Sequence, residues 1–101
     1  MIINSHDCCL LIIDIQKKLI DNIYNNNELI KITELLIFTS EKFELPIIFS
    51  EQYPEGLGST VDSLTRRLSE VNSEKINKTS FSCFGSNDFV DKFNKLNRKQ
   101  V

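Results

Sequence analysis

Asp14 closes the apolar run Cys8-Cys9-Leu10-Leu11-Ile12-Ile13, and Ile15-Gln16 and a basic stretch follow at once. Six apolar residues ended by a carboxylate read as a buried parallel strand with a charged tip. In open α/β sheets, ligands and chemistry sit at the C-terminal tips of the strands. Two further tips follow along the chain: Ser50-Glu51-Gln52 after Ile47-Ile48-Phe49, and Lys78 at the end of a poorer strand candidate. A carboxylate and an ammonium meeting at one sheet edge would serve as acid/base and charge stabiliser. Spacing alone leaves three outcomes open: such a pair, a plain salt bridge, or two groups that never meet.

Other chemistry is poorly supported. Cys8 and Cys9 lie inside the apolar run and read as small, inert core residues. Cys83 sits in a loop five residues after Lys78, with nothing to place it at a helix N-terminus where a thiol would be activated. His6 is the single histidine and reads as a surface or terminal residue, whereas a zinc site takes three or four protein ligands. No metal or cofactor is therefore expected. Gly56-Leu57-Gly58 lacks the remaining glycine of the dinucleotide fingerprint and does not directly follow the first strand, and there is no P-loop. Phe81, Phe84, Phe89 and Phe93 have no basic surface beside them and read as loop anchors and core, not a base-stacking platform.

The elements that must position the tips can be read from periodicity. Residues 8–13 form strand one. Asn25-Asn26-Asn27 breaks the chain, and Asn27 is a candidate cap for a helix over 28–44. Its stripe is Leu29, Ile32, Leu36 and Phe43, widened by Leu35 and Phe38. Pro46 stops that helix, and 47–49 form strand two. One proline and two glycines in 54–58 predict a loop. Ser59 or Thr60 would cap a short helix with Val61, Leu64, Leu68 and Val71 on one face. Residues 75–79 are the third strand, 80–86 a second loop, and Phe89, Val90, Phe93 and Leu96 mark a last helix capped by Asn87. The alternation predicts βαβ units with right-handed crossovers, one half of a doubly wound sheet. A helix there normally leads into another strand, and here it leads to Val101.

Global properties bound the class. With 101 residues, 41% hydrophobic and 26% charged, the chain reads as one globular domain at most. A net charge of −2 without a basic block argues against nucleic-acid binding. Three cysteines, two of them adjacent, argue against a disulfide framework and for a reducing, cytoplasmic setting. No signal peptide is evident, and the apolar run is too short to span a membrane.

These residues resemble a family. Leu11-Ile12-Ile13-Asp14-Ile15-Gln16 looks like the opening strand of the isochorismatase-like cysteine hydrolases. The stretch from Pro46 through Ser50-Glu51-Gln52-Tyr53-Pro54-Glu55-Gly56-Leu57-Gly58 to Val61 is similar to the second strand and loop of the isochorismatase domain-containing proteins. Lys78-Thr79-Ser80-Phe81-Ser82-Cys83-Phe84 resembles the family's lysine motif. The middle motif is the most specific. The resemblance implies a Rossmann-like three-layer α/β/α fold, of which this chain holds the N-terminal half with about three parallel strands. It implies a site of aspartate, lysine and nucleophilic cysteine acting on a small amide, ester or enol-ether. Asp14 matches the acid/base and Lys78 the lysine. Gln16, Gln52, Tyr53 and Phe84 fall at motif positions that would line a substrate pocket. The family's nucleophile follows a fourth strand that has no counterpart here, so residues 1–101 read as a partial domain, inactive alone. Metal-binding relatives carry an aspartate and histidines after strand two, where this chain has Ser50-Glu51-Gln52-Tyr53-Pro54.

A second expectation follows from the sheet. With strand order 3-2-1-4 and no strand four, strand one would present an open edge for self-association or for another chain. The protein would then be a non-catalytic interaction module. A receiver-like signalling domain is disfavoured, because no adjacent acidic pair sits at the first tip.

Overall fold

The structure is a computed structural model and describes residues 2–101. Three parallel strands form one sheet in the order β1-β2-β3: β1 Leu10–Ile13, β2 Ile47–Gln52 and β3 Ser73–Lys78. Leu10 pairs with Ile47 and Ile13 with Ser50, while β2 pairs with β3 from Ile47–Ser73 to Gln52–Lys78. The register brings all three C-terminal tips to one edge. Helix α2, Asn26–Lys42, joins β1 to β2, and α4, Asp62–Leu68, joins β2 to β3. Helix α5, Asn87–Leu96, follows β3.

Strand alternation distributes the apolar residues to two cores. Ile12 and Ile47, with Leu10 and Phe49, pack with Ile37 of α2 and Leu64 and Leu68 of α4. Ile48 and Ile76, with Leu11, pack with Cys83 and with Phe89, Phe93 and Leu96 around α5. Both faces of the sheet are covered, as parallel sheets require. The result is the expected three-layer α/β/α arrangement.

Several local expectations are corrected. Helix α2 begins at Asn26 behind a left-handed Asn25 (φ 55°), not behind an Asn27 cap. Its sheet-facing side is Ile30, Thr33, Ile37 and Ser40, while Ile32, Leu35, Leu36, Phe38 and Phe43 are exposed. Thr33 and Ser40 are small enough for close approach of the helix to the sheet, and the Thr33 hydroxyl donates to Leu29 O at 2.7 Å, so its polarity is satisfied locally. Of the hydrophobic stripe read from periodicity, Leu29 packs against the core and the remainder lies outside it.

The 54–58 loop contains a helical turn, α3 Pro54–Leu57, because Pro54 occupies its first position, where no N–H is needed. Gly58 at φ 83° ends that turn. A second single turn, α1 Lys17–Ile20, follows β1. Val61 holds the position before α4, in place of Ser59 or Thr60. Ser86, not Asn87, caps α5, its hydroxyl accepting from the Phe89 N–H at 3.3 Å. The second loop contains a 3₁₀ turn, Cys83–Gly85.

Strand one is shorter than the apolar run. Cys8 makes an isolated parallel bridge with Gln100, and the Cys9 N–H donates to Gln100 O at 3.0 Å. Gln100 thus pairs on the side of strand one away from β2. Leu10 and Asp14 donate to Pro46 and Ser50, so the intervening Leu11 and Ile13 turn their backbone groups toward that same outer edge.

The two faces of α2 give a direct test. Ile37→Ala is expected to destabilise the chain by about 2–4 kcal/mol, and Leu35→Ala by less than about 0.5 kcal/mol, in urea unfolding. Equal losses would contradict the orientation of the helix.

Candidate active site

Lys78 ends β3 with its side chain fully buried, and its ammonium has four acceptors. These are Asp14 Oδ2 at 2.9 Å, Gln52 Oε1 at 3.2 Å, Ser80 O at 3.1 Å and Phe81 O at 3.0 Å. Burying an ammonium costs several kcal/mol unless its charge and protons are matched. Here one carboxylate matches the charge and three neutral oxygens share the protons.

Asp14 lies at the end of β1 with 17% of its side chain exposed. Its backbone is left-handed at φ 56°, a conformation that aspartate tolerates better than most residues. The turn breaks strand alternation and carries the carboxylate toward Ser50 and Lys78. Two backbone bonds hold it, Asp14 N–H to Ser50 O at 3.1 Å and Gln16 N–H to Asp14 O at 3.0 Å. The Ser50 hydroxyl donates to Asp14 Oδ1 at 2.7 Å. Each carboxylate oxygen therefore has one donor, and the group keeps a solvent-facing side. Such a carboxylate can accept a proton from an incoming group and return it, while Lys78 holds the local charge.

Gln16 is fully buried. Its Nε2 donates to Gln52 O at 2.9 Å and to Gly58 O at 2.7 Å, and its Oε1 accepts from the Gln52 N–H at 2.7 Å. Its amide is thus spent on backbone, tying the tip of β2 to the α3 loop. Gln52 itself reaches Lys78. Tyr53 is left-handed at φ 42°, its N–H donates to Lys78 O at 2.9 Å, and its half-exposed ring lies over Gly56, where a β carbon would overlap it. Phe84 is exposed and meets Phe89 and Phe93 of α5 edge-on, with centroids 5.2 and 5.9 Å away. The structure brings together Asp14, Lys78 and Gln52, sets Gln16 behind Gln52, and places Phe84 against α5.

Two polar residues of β2 escaped the sequence reading. Ser50 was read only as part of a tip, and its bond to Asp14 depends on a register that no local pattern specifies. Glu51 is 3% exposed, and its Oε2 accepts from the Thr60 N–H at 2.8 Å and hydroxyl at 2.9 Å. Strand alternation was the available signal, since it puts Glu51 on the face opposite Ser50 and Gln52.

All three cysteines are buried. Cys83 packs with Ile48, Ile76 and Phe89 under α5. Burial pushes the Cys9 thiol above its ordinary value of 9.0, the adjacent Cys8 adds to this, and Arg98 partly offsets it. Among the described residues, no cluster of three or more histidine, cysteine, aspartate or glutamate side chains is placed to hold a metal ion, and His6 is exposed. No described helix is long and apolar enough to cross a membrane.

Two outcomes follow from this geometry. Lys78→Met is expected to destabilise the chain by about 3 kcal/mol, because it strands a partly buried carboxylate. Lys17→Met, which breaks the exposed 3.0 Å pair with Asp62, should change stability by less than about 1 kcal/mol in the same denaturant titration. For Cys9, the folded thiol holds its proton to higher pH than the unfolded one. Its contribution is complete below the unfolded value and is lost as pH rises through the folded one. Thiol-reagent labelling at pH 8 should therefore leave Cys9 unmodified until urea unfolds the chain, and rapid labelling of the native chain would contradict this.

Comparison with known proteins places this geometry. Residues 8–101 match the isochorismatase domain model. Isochorismatase family protein 1A of Dictyostelium discoideum is 40% identical over 74 residues, which cover 72% of this chain and 36% of that protein. Isochorismatase domain-containing protein 2 of Xenopus laevis is 34% identical over 73 residues, covering 72% of this chain and 34% of that one. The chain thus spans about a third of the length of these curated relatives. Among solved structures, the MAR1 ribonuclease of Caenorhabditis elegans superposes with a TM-score of 0.82 at 33% identity, over 94% of this chain and 48% of that one. The Escherichia coli YcaC product, described as an octameric hydrolase of unknown specificity, gives a TM-score of 0.83 at 18% identity, over 96% of this chain and 48% of its own, a likeness of fold. With the domain model matching from the first strand to the last residue, the chain belongs to the isochorismatase family.

Proposed function

We propose that this chain carries the acid/base half of an isochorismatase-like cysteine hydrolase site. The observation that supports the reading is the 2.9 Å contact between the wholly buried Lys78 ammonium and the partly open Asp14 carboxylate. In this reading Asp14 takes the proton of a thiol supplied from outside residues 1–101. The thiolate attacks a small amide, ester or enol-ether carbon, and Asp14 returns the proton to the departing group. Water then releases the product, and its proton passes through Asp14 back to sulfur. Lys78 holds a positive charge 2.9 Å from the Asp14 carboxylate throughout. Gln52, Tyr53 and Phe84 would face the substrate, with Gln16 bracing Gln52 from behind. Residues 1–101 are then the N-terminal part of a larger hydrolase domain, in keeping with the half of each solved relative that they cover. A near-neutral charge favours a small-molecule substrate over nucleic acid, and three free thiols favour a reducing, cytoplasmic setting.

The purified chain is expected to show no amide hydrolysis above background, because its own thiols are buried. Activity should appear on adding a family C-terminal half that carries the nucleophile, and Asp14→Asn should remove it. Turnover by the chain alone that Cys83→Ala abolishes would overturn the proposal.

A second reading has its own support. Ile32, Leu35, Leu36 and Phe43 form an exposed apolar band on α2, and Leu11 and Ile13 line the outer edge of β1. Surfaces of this kind mark association. In this reading the chain self-associates through them as an interaction module. Light scattering should then show an oligomer that Leu35→Glu converts to a folded monomer, and a monodisperse wild-type monomer would rule this reading out.

A further inference from the structure

The face of the sheet opposite Asp14 and Lys78 holds a cavity of about 350 Å³ between α4 and β3. Glu51 and Lys75 line it, and Phe49, Leu68 and Val71 supply an apolar wall. Glu51 is 3% exposed, yet its two oxygens are unequally served. Thr60 supplies both hydrogen bonds to Oε2, whereas Oε1 has only the Lys75 ammonium at 3.9 Å, beyond hydrogen-bond range. Lys75 is half exposed.

The surrounding hydroxyls sharpen the chemistry. Thr65, Ser69 and Ser73 also line the cavity, and each donates its proton to a backbone carbonyl, of Thr60, Arg66 and Leu68 respectively. What they can still offer the cavity is lone pairs. The cavity therefore presents hydroxyl lone pairs and the uncommitted Ser59 hydroxyl around one carboxylate oxygen that lacks a hydrogen bond, with a single cation at the lip and an apolar wall beside it. An ammonium fits the acceptors, a carboxylate fits Lys75, and an aliphatic group fits Phe49, Leu68 and Val71. A volume of this size lies within the range of small-ligand sites.

We propose that this cavity binds a small zwitterion of the aliphatic α-amino-acid class. Its ammonium bonds Glu51 Oε1, its carboxylate pairs with Lys75, and its side chain lies on the apolar wall. The site lies across the sheet from Asp14 and stands independently of the hydrolase reading.

The test is a titration of the ¹⁵N-labelled full chain with L-leucine, followed by two-dimensional NMR. Saturable shifts are expected at Glu51, Thr65, Ser69 and Lys75. Lys75→Met, at a half-exposed position, should stay folded and weaken leucine binding by about tenfold or more, the range for a hydrogen bond to a charged group. n-Butylamine and butyrate, each with one of the two charges, should bind more weakly than leucine. Absence of saturation, equal affinity in Lys75→Met, or shifts confined to Asp14 and Lys78 would each overturn the proposal.

Discussion

The buried ammonium of Lys78 is the constraint on which the candidate site depends. A lysine enclosed at the end of a strand must be met by a negative charge and by enough acceptors for its three protons. The structure meets this with groups from three places: Asp14 from β1, Gln52 from β2, and the Ser80 and Phe81 carbonyls from the chain after β3. Satisfying Lys78 therefore sets the positions of all three strand tips relative to one another. The left-handed backbone at Asp14 is part of the same arrangement, since it carries the carboxylate to the ammonium.

The same requirement gives the site its chemistry. Asp14 keeps 17% of its side chain exposed, and in the proposed reading it is the member that exchanges a proton with an incoming group. Lys78, fully enclosed, would act in that reading through the charge it imposes. Ser50 adds a donor that can reverse: its hydroxyl donates to the ionised carboxylate and has lone pairs for a protonated one. That reversibility suits a group that alternates between two protonation states.

Much of this was legible in the sequence, and the remainder shows why it was not. Apolar runs closed by Asp14 and by Ser50-Glu51-Gln52 marked two strands and their tips, because buried parallel strands need continuous apolar residues. The poor composition of 73–78 hid the first two residues of β3, whose outer side is polar; Ile76 and Lys78 are its buried residues. Helix α2 was found but turned the wrong way, because periodicity ranks hydrophobicity and the sheet selected close approach. Thr33 and Ser40 won the inner face, leaving Leu35 and Phe43 outside. Gln16 was legible as a motif position, but its function as a brace depends on Gln52 and Gly58, 36 and 42 residues away.

Strand β2 links these observations. Its last three residues bond three different parts of the fold: Ser50 holds Asp14, Glu51 holds Thr60, and Gln52 holds both Gln16 and Lys78. Alternation sends Ser50 and Gln52 to one face and Glu51 to the other. The Asp14–Lys78 cluster and the cavity beside Glu51 are thus built on opposite sides of one strand, from adjacent residues. Neither can shift along β2 without moving the other, because a strand transmits displacement through its backbone and not through side-chain contacts. Glu51 and Thr60 also fix the far end of the α3 loop, whose near end carries Tyr53 beside the Asp14–Lys78 edge. A residue that touches neither Asp14 nor Lys78 therefore holds the loop that begins beside them.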